Sequence, residues 1–406
     1  MLSYRYTARD PSTGQYVKAE VQAEDERSAS RLITKEGLVP IDIKLAEKSV
    51  SGIGRFFNRV KTKEKVIFSR QLSTLINAGL PLVQSLRTVN QQSSSKALKV
   101  VMGKVIADVE AGSTLSAAMA KHPQMFNRVY TSLVAAGEAS GTLDKALERL
   151  AIQQEKDADL ISKVRGAMVY PIIVLLVMAG VVGFMLVKVL PQVQILYEGL
   201  PGAELPILTK VLLAVSNFFI HYWWVMLIIL VLAAFFTTRW ARTFGGRRVI
   251  DGLKMKLPPF GALFMKMYMA RFARTGTTLV ASGVPLIQVL EITGDAVDNI
   301  HIKESLNKAA DKVKGGKALS DSLQFDPNFL ELVPNMLRIG EQSGSMEQML
   351  GKTADYYEKE VDDQVKTIST IIEPVLMVIL GIVAFVIVAA VLLPIYGLAG
   401  KSFIQR

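Results

Sequence analysis

Three long stretches of the chain carry almost no polar positions: Met168–Leu190, Leu212–Phe236 and Ile371–Gly397. At 1.5 Å rise per residue, a helix over the first would be roughly 34 Å long, enough to cross a hydrocarbon core of about 30 Å. The first stretch holds one charge, Lys188, near its end, and the second carries Tyr222, Trp223 and Trp224 towards its start, rings that favour the headgroup level. All three are expected to span a membrane, since core helices of soluble proteins seldom stay uncharged for so long. Elsewhere the pattern is that of amphipathic helices. Phe68, Leu72, Leu75 and Ile76 recur at spacings of three and four, Gly79 closes that stripe, and Pro81 can open the next helix at its first position. Ala-rich, Gly-punctuated pieces follow, which predicts short helices, tight turns and an antiparallel bundle.

The helical pattern occurs twice. FSRQLSTLINAGLPLVQSL (Phe68–Leu86) matches FARTGTTLVASGVPLIQVL (Phe272–Leu290) at an offset of 204, and AGSTLS (Ala111–Ser116) matches GGKALS (Gly315–Ser320) at the same offset. After a one-residue deletion the offset is 203: GEASGTLDKAL (Gly137–Leu147) matches GEQSGSMEQML (Gly340–Leu350), Pro171 matches Pro374, and Pro191 matches Pro394. The duplication thus includes a span. Each copy is a helical module followed by one membrane helix, and the middle span is a return crossing that puts both modules on one side.

The repeated motif reads as a helix corner. Gly141 and Gly344 sit where a helix ends in the left-handed conformation, and Thr142 or Ser345 can cap the next helix. Ser345 with Gln348 makes a capping box, which Lys145 prevents in the first copy. Glu138 and Glu341 are not needed by such a turn, so each is either an ion-pair partner inside its bundle or a contact to another protein.

Charge fixes the expected orientation. The net charge of +11 is concentrated beside the spans: Lys156, Lys163 and Arg165 precede the first, and Arg239, Arg242, Arg247, Arg248, Lys254 and Lys256 against Asp251 alone follow the second. Lys and Arg mark the cytoplasmic side, so both modules are expected there and Pro191–Lys210 outside. Lys401 and Arg406 in the tail run mildly against this rule. The same placement accounts for the basic excess without nucleic acid. MLSYRYTARD at the start lacks the apolar stretch of a signal peptide, so none is expected ahead of the spans, and with no cysteine and three unclustered histidines (His122, His221, His301) thiol chemistry is excluded and a metal site is not expected. GGKALS lacks the upstream glycine and strand of a phosphate loop, and HExxH and GxSxG do not occur. A transporter is the rival reading, but Glu373, Asn217 and His221 would be a sparse polar pathway.

With the doubled GE-x-SG motif, the paired prolines and the three spans in hand, the chain resembles the inner-membrane platform family of type II secretion and type IV pilus systems, the GspF and PilC proteins. The resemblance covers nearly the whole length, including the opening YRYTARDPSTGQYVKAEVQAEDERSASRLITKEGLVPIDI. It implies a mainly α membrane protein with two tandem cytoplasmic helical-bundle repeats, three transmembrane helices and a small N-terminal α/β domain. In that domain RYTARD and QYVKAEVQA read as a hairpin around Pro11–Gly14, the next segment as a helix ending at Gly37, and VPIDIKL as a further strand. The expected boundaries are 1–47 for this domain, 48–64 for a basic linker, 65–167 for repeat 1, 168–190 for the first span, 191–211 for an external loop, 212–236 for the second span, 237–268 for a basic connector, 269–370 for repeat 2, 371–397 for the third span and 398–406 for an external tail. The linker's Ile53, Phe56, Phe57 and Val60 among Arg55, Arg59, Lys61, Lys63 and Lys65 read equally as an amphipathic helix on anionic lipid or as a solvated lead-in.

The resemblance also implies a non-enzymatic role without cofactor: a platform at the bacterial inner membrane that couples a cytoplasmic hexameric assembly ATPase to insertion of pilin or pseudopilin, alongside other subunits of the machine and further copies of itself. Candidate contact or coupling residues are Gly137, Glu138, Ser140 and Gly141, their counterparts Gly340, Glu341, Ser343 and Gly344, and Glu373 with Pro374 at the start of the third span. Glu373 has Tyr170 in the equivalent place and is expected either to meet a cationic group or to snorkel to the interface.

Overall fold

A computed structural model of the chain describes residues 2–9, 16–23, 26–35, 37–45, 60–198, 207–258 and 260–404. Two units are distinct, Met1–Lys61 and Thr62–Arg406. In the first, strands β1 (Leu2–Arg9), β2 (Tyr16–Ala23) and β3 (Val39–Leu45) form an antiparallel sheet in the order β2-β1-β3, with helix α1 (Glu26–Lys35) between β2 and β3 in sequence. Tyr6 faces Ala19 on one side and Ile43 on the other. Alternation along β1 buries Tyr6 and Ala8, and Ile33 of α1 completes that small core. Gly37, at φ +82°, lets the Leu38 amide turn back to the Ile33 carbonyl at 3.3 Å, which ends α1 and aims the chain into β3. The hairpin turn expected at Pro11–Gly14 and most of the basic linker lie outside the described residues.

In the second unit the duplication is visible as two sets of six helices in one order. Repeat 1 comprises α2 (Thr62–Asn77), α3 (Leu82–Gln92), α4 (Lys96–Glu110), α5 (Leu115–Ala120), α6 (Arg128–Ser140) and α7 (Leu143–Phe184). A π-helical turn over Met185–Val189 joins α7 to α8 (Leu190–Glu198), and α9 (Ile207–Trp240) and α10 (Phe244–Lys256) lead to repeat 2. There α11 (Phe260–Ala281), α12 (Leu286–Val297), α13 (Ile300–Lys314), α14 (Leu319–Leu323), α15 (Leu332–Ser343) and α16 (Met346–Ile404) correspond in turn to α2 through α7. Equivalent aromatic pairs sit in the two cores: Phe68 lies 6.0 Å from Phe126, and Phe272 lies 5.3 Å from Phe329. Repeat 2's core also takes Leu160 from α7, so the two bundles share apolar packing. Pro81 is an N-cap rather than the first helical residue expected, and its counterpart Pro285 is an N-cap as well.

Among the described residues, three helices are long and apolar enough to cross a membrane, over Leu143–Val193, Thr209–Trp240 and Met346–Leu392. Their apolar parts leave large side chains uncovered, Leu230 at 69% and Phe385 at 73% exposure, as lipid contact requires. The expected breaks between bundle and span at 167/168 and 370/371 fall inside α7 and α16: each helix begins at the motif corner and continues into its apolar segment. Pro171 and Pro374 are therefore interior prolines, not first-turn ones, and each removes one backbone bond from a running helix. The third helix also runs on to Ile404, through most of the segment assigned to a tail. The basic connector, in turn, is mostly helical, with α10 and the first residues of α11 inside it.

The π turn lies just before Pro191. In this turn the Leu190 amide bonds to the Met185 carbonyl, and the next residue, Pro191, has no N–H to offer the Leu186 carbonyl. Ser216 of α9 fills that place by donating its hydroxyl to Leu186 O. Thr209 donates likewise to Ala390 O at 3.3 Å, so two hydroxyls tie α9 to the other two apolar helices where lipid supplies no partner.

Candidate functional site

The two GE-x-SG corners share one geometry. Gly141 (φ +69°) and Gly344 (φ +67°) occupy the left-handed region that ends α6 and α15. At the first corner the Thr142 amide bonds to Gly137 O at 2.9 Å and the Gly141 amide to Glu138 O at 3.4 Å, the paired closure of a Schellman turn. Ser140 donates to Ala136 O at 2.7 Å and lies 2.7 Å from the Thr142 hydroxyl; Ser343 donates to Ile339 O at 2.6 Å and lies 2.6 Å from the Ser345 hydroxyl. The Thr142 hydroxyl therefore makes no capping bond to α7, contrary to the sequence expectation, and the motif serine is its partner instead. Ser345 is held the same way.

The motif glycines mark where the incoming and outgoing helices touch. A Cβ on Gly137 would sit 2.6 Å from Ala146 Cβ and 3.1 Å from Leu143 Cα; one on Gly340 would sit 3.0 Å from Met346 Cα. Alanine at either position forces the two helices apart. We expect Gly137→Ala to cost about 1–3 kcal/mol by overpacking, with a larger loss for valine, read as a lowered midpoint in thermal unfolding of the purified protein. Unchanged midpoints for both variants would show that the corner opens freely.

The glutamates have a role that sequence did not reveal. Glu138 Oε1 accepts from the Leu115 amide at 2.5 Å, and Oε2 accepts from the Ser116 amide at 3.0 Å and the Ser116 hydroxyl at 2.5 Å. Glu341 repeats this with Leu319 N at 2.6 Å, Ser320 N at 3.2 Å and Ser320 Oγ at 2.5 Å. Each carboxylate caps the N-terminus of a short helix from outside, where unpaired amides and the helix dipole favour negative charge. In repeat 1, Thr114 adds a cap by accepting from Ala117 N at 3.2 Å, whereas Ala318 offers α14 no side-chain cap. The role found is neither of the two expected, ion-pair partner or contact to another protein, but a carboxylate–amide clasp inside each bundle. The recurrent serines Ser116 and Ser320, in segments already seen to match, were the one available signal.

The ion pair that does repeat lies elsewhere: Arg70 binds Glu155 through both nitrogens, and Arg274 at the equivalent place bonds to Glu358 at 2.7 Å. The guanidinium of Arg70 holds the Glu155 carboxyl below the usual carboxylate range. Between the repeats, Gln153 is buried with its amide bonded to Thr275 and its carbonyl accepting from Thr278, both at 3.1 Å. Asp157, one turn on, is pushed above the usual carboxylate range by burial, an effect that Arg271 opposes.

Glu373 and Pro374 stand apart from both corners. Glu373 is exposed and lines an open groove of about 400 Å³ with Ser369 and Thr370 of α16 and Gly166, Tyr170 and Pro171 of α7. Glu373 and its repeat counterpart Tyr170 therefore line the same groove, with no cation among the residues around it. No cluster of metal-ligating side chains occurs among the described residues.

Comparison with known proteins matches this architecture. The family model for type II secretion system protein F matches twice, over residues 68–191 and 272–394, and the model for that protein's N-terminal domain matches residues 1–44. A type IV pilus assembly protein PilC of Thermus thermophilus is 40% identical over the full length of both chains. PilC of Pseudomonas aeruginosa is 36% identical over 90% of this chain and 97% of its own. The type II secretion system protein F of Pseudomonas aeruginosa is 33% identical over 98% of this chain and 99% of its own. The two matched segments are the two bundles with their continuing apolar helices, and with the N-terminal match they place the chain in the type II secretion system protein F family of inner-membrane platform proteins.

Proposed function

We propose that the chain is the platform of a type IV pilus machine and works as a mechanical adaptor between a cytoplasmic assembly ATPase and pilin subunits in the membrane. One observation carries this reading: α7 and α16 each run without interruption from a corner inside a bundle into an apolar membrane-length segment. A continuous helix transmits displacement along its axis, whereas a linker would absorb it. Both bundles and the N-terminal domain are cytoplasmic in this account, an orientation supported by exposed Arg239, Arg242, Arg247 and Arg248 after the second span. The chain supplies no catalysis of its own, so the work comes from the partner that the bundles engage. The pilus assignment rests on the two pilus relatives, at 40% and 36% identity against 33% for the secretion relative.

Deleting the gene in its host and restoring it on a plasmid tests the assignment. Loss of surface filaments that the intact chain restores is the expected result. Intact filaments with failed protein secretion would move the chain to the secretion arm, and ATP hydrolysis by the purified protein would defeat the adaptor reading.

A further inference from the structure

We propose that copies of this chain associate head to tail, with repeat 2 of one copy docking on repeat 1 of the next through faces that already meet once inside each chain. Self-association is expected of the family; the internal repeat supplies its surface. Within the chain, α6 and α7 of repeat 1 dock on α11 and α12 of repeat 2. Arg128 on α6 reaches Asp295 at 3.1 Å and Glu291 at 3.2 Å on α12. On α7, Arg149 donates to the Ala281 carbonyl at the end of α11, and Gln153 is buried between Thr275 and Thr278. This contact is not two-fold symmetric, because it joins one kind of face on repeat 1 to a different kind on repeat 2. The counterpart faces stay open in each copy: the side of α15 and α16 that bears Glu331, Lys352 and Tyr356 on repeat 2, and the side of α2 and α3 that bears Thr74 and Arg87 on repeat 1, while a different side of α16 meets α7 of its own chain through Lys156–Glu358 at 3.0 Å and Lys163–Asp362 at 2.9 Å.

These faces are open to solvent. Tyr356, the counterpart of Gln153, is 49% exposed where Gln153 is 2% exposed. Glu331, Lys352 and Thr74 are exposed, and the Arg87 side chain is 61% exposed. The repeat register dictates how they would meet. Lys352 takes the place of Arg149 and faces the Asn77 carbonyl; Tyr356 takes the place of Gln153 and faces Gln71 and Thr74.

The central pair is reversed in charge on both sides. Glu331 stands where repeat 1 has Arg128, and Arg87 stands where repeat 2 has Glu291. Attraction is kept. The reversal extends to the neighbouring residue: Glu291 lies 3.8 Å from Lys314, while Arg87 lies 2.6 Å from Glu110 at the equivalent position. It also discriminates, because docking repeat 1 of one copy on repeat 1 of another would set Arg128 against Arg87, a repulsive match. A contact between unlike faces propagates rather than pairing off. With every copy crossing the membrane in the same sense, the rotation between neighbours lies about the membrane normal, giving an arc or a closed ring.

The chain contains no cysteine, so single cysteines can be placed cleanly. Copies of the full-length protein carrying Arg87→Cys are mixed in lipid nanodiscs or liposomes with copies carrying Glu331→Cys and treated with a short thiol-reactive cross-linker. The expected result is a cross-linked dimer in the mixture, little in either population alone, and a ladder of higher species from the double variant. Arg128→Cys with Asp295→Cys should cross-link within one chain and verifies both fold and reagent. In parallel, Arg87→Glu should cut the associated fraction at least several-fold, and adding Glu331→Arg should restore it. A mixture that fails to cross-link while the internal control succeeds overturns the proposal. So does abundant dimer from Arg87→Cys alone, which would mean a symmetric interface.

Discussion

Alanine in place of Glu341 is expected to lower the stability of the protein by about 3 kcal/mol, the largest loss among alanine substitutions at the motif positions. The carboxylate accepts from two backbone amides and a hydroxyl at the start of α14, and charge-assisted bonds of this kind contribute about 1.5–3 kcal/mol each in favourable settings. Its removal strands the Leu319 and Ser320 amides in a buried corner, since both residues are only 2% exposed and Ala318 supplies no substitute cap. Glu138→Ala should lose less, because Thr114 still caps α5. Glutamine at either position keeps one acceptor oxygen and should recover about half of the loss. Thermal or denaturant unfolding of the purified variants orders these expectations as Glu341→Ala, then Glu138→Ala, then the glutamine variants. Equal stability of Glu341→Ala and the unmodified chain would return the glutamate to the class of partner contacts.

The duplication was legible because its evidence is one-dimensional. A constant offset of 204 and then 203 needs no knowledge of folding, and it carried the two bundles, the paired spans and the single-residue deletion. Left-handed Gly141 and Gly344 were legible for a similar reason, since the turn chemistry is local. The role of Glu138 was not, because its partners are amides some twenty residues earlier, and backbone donors leave no trace in composition. An acid without a nearby base reads as an ion-pair or partner residue by default. Asp251 makes the same point: counted only as one acid against six bases, it accepts from the Ile300 amide at 3.2 Å and helps start α13. Bundle and span were divided at the change in hydrophobicity and at Pro171 and Pro374, yet the backbone continues through both. Polarity changes at the membrane surface; helical geometry does not have to.

That continuity is the centre of the account, and breaking it should have the largest functional effect. Inserting a short Gly-Ser segment after Gly166 in α7, or after Thr370 in α16, replaces a stiff helix with a flexible coil while leaving the bundle corners and the apolar segments intact. Gly is about 1 kcal/mol poorer than Ala in a helix interior, so several in succession end the helix locally. Membrane insertion should persist, because the apolar segments are untouched. The decisive measurement is the count of surface filaments on host cells expressing each insertion variant at the level of the intact chain. Either insertion should cut the count at least tenfold, with recovery when the segment is replaced by helix-forming residues of equal length. Filament counts equal to those of the intact chain, with the variants correctly inserted, would contradict the account.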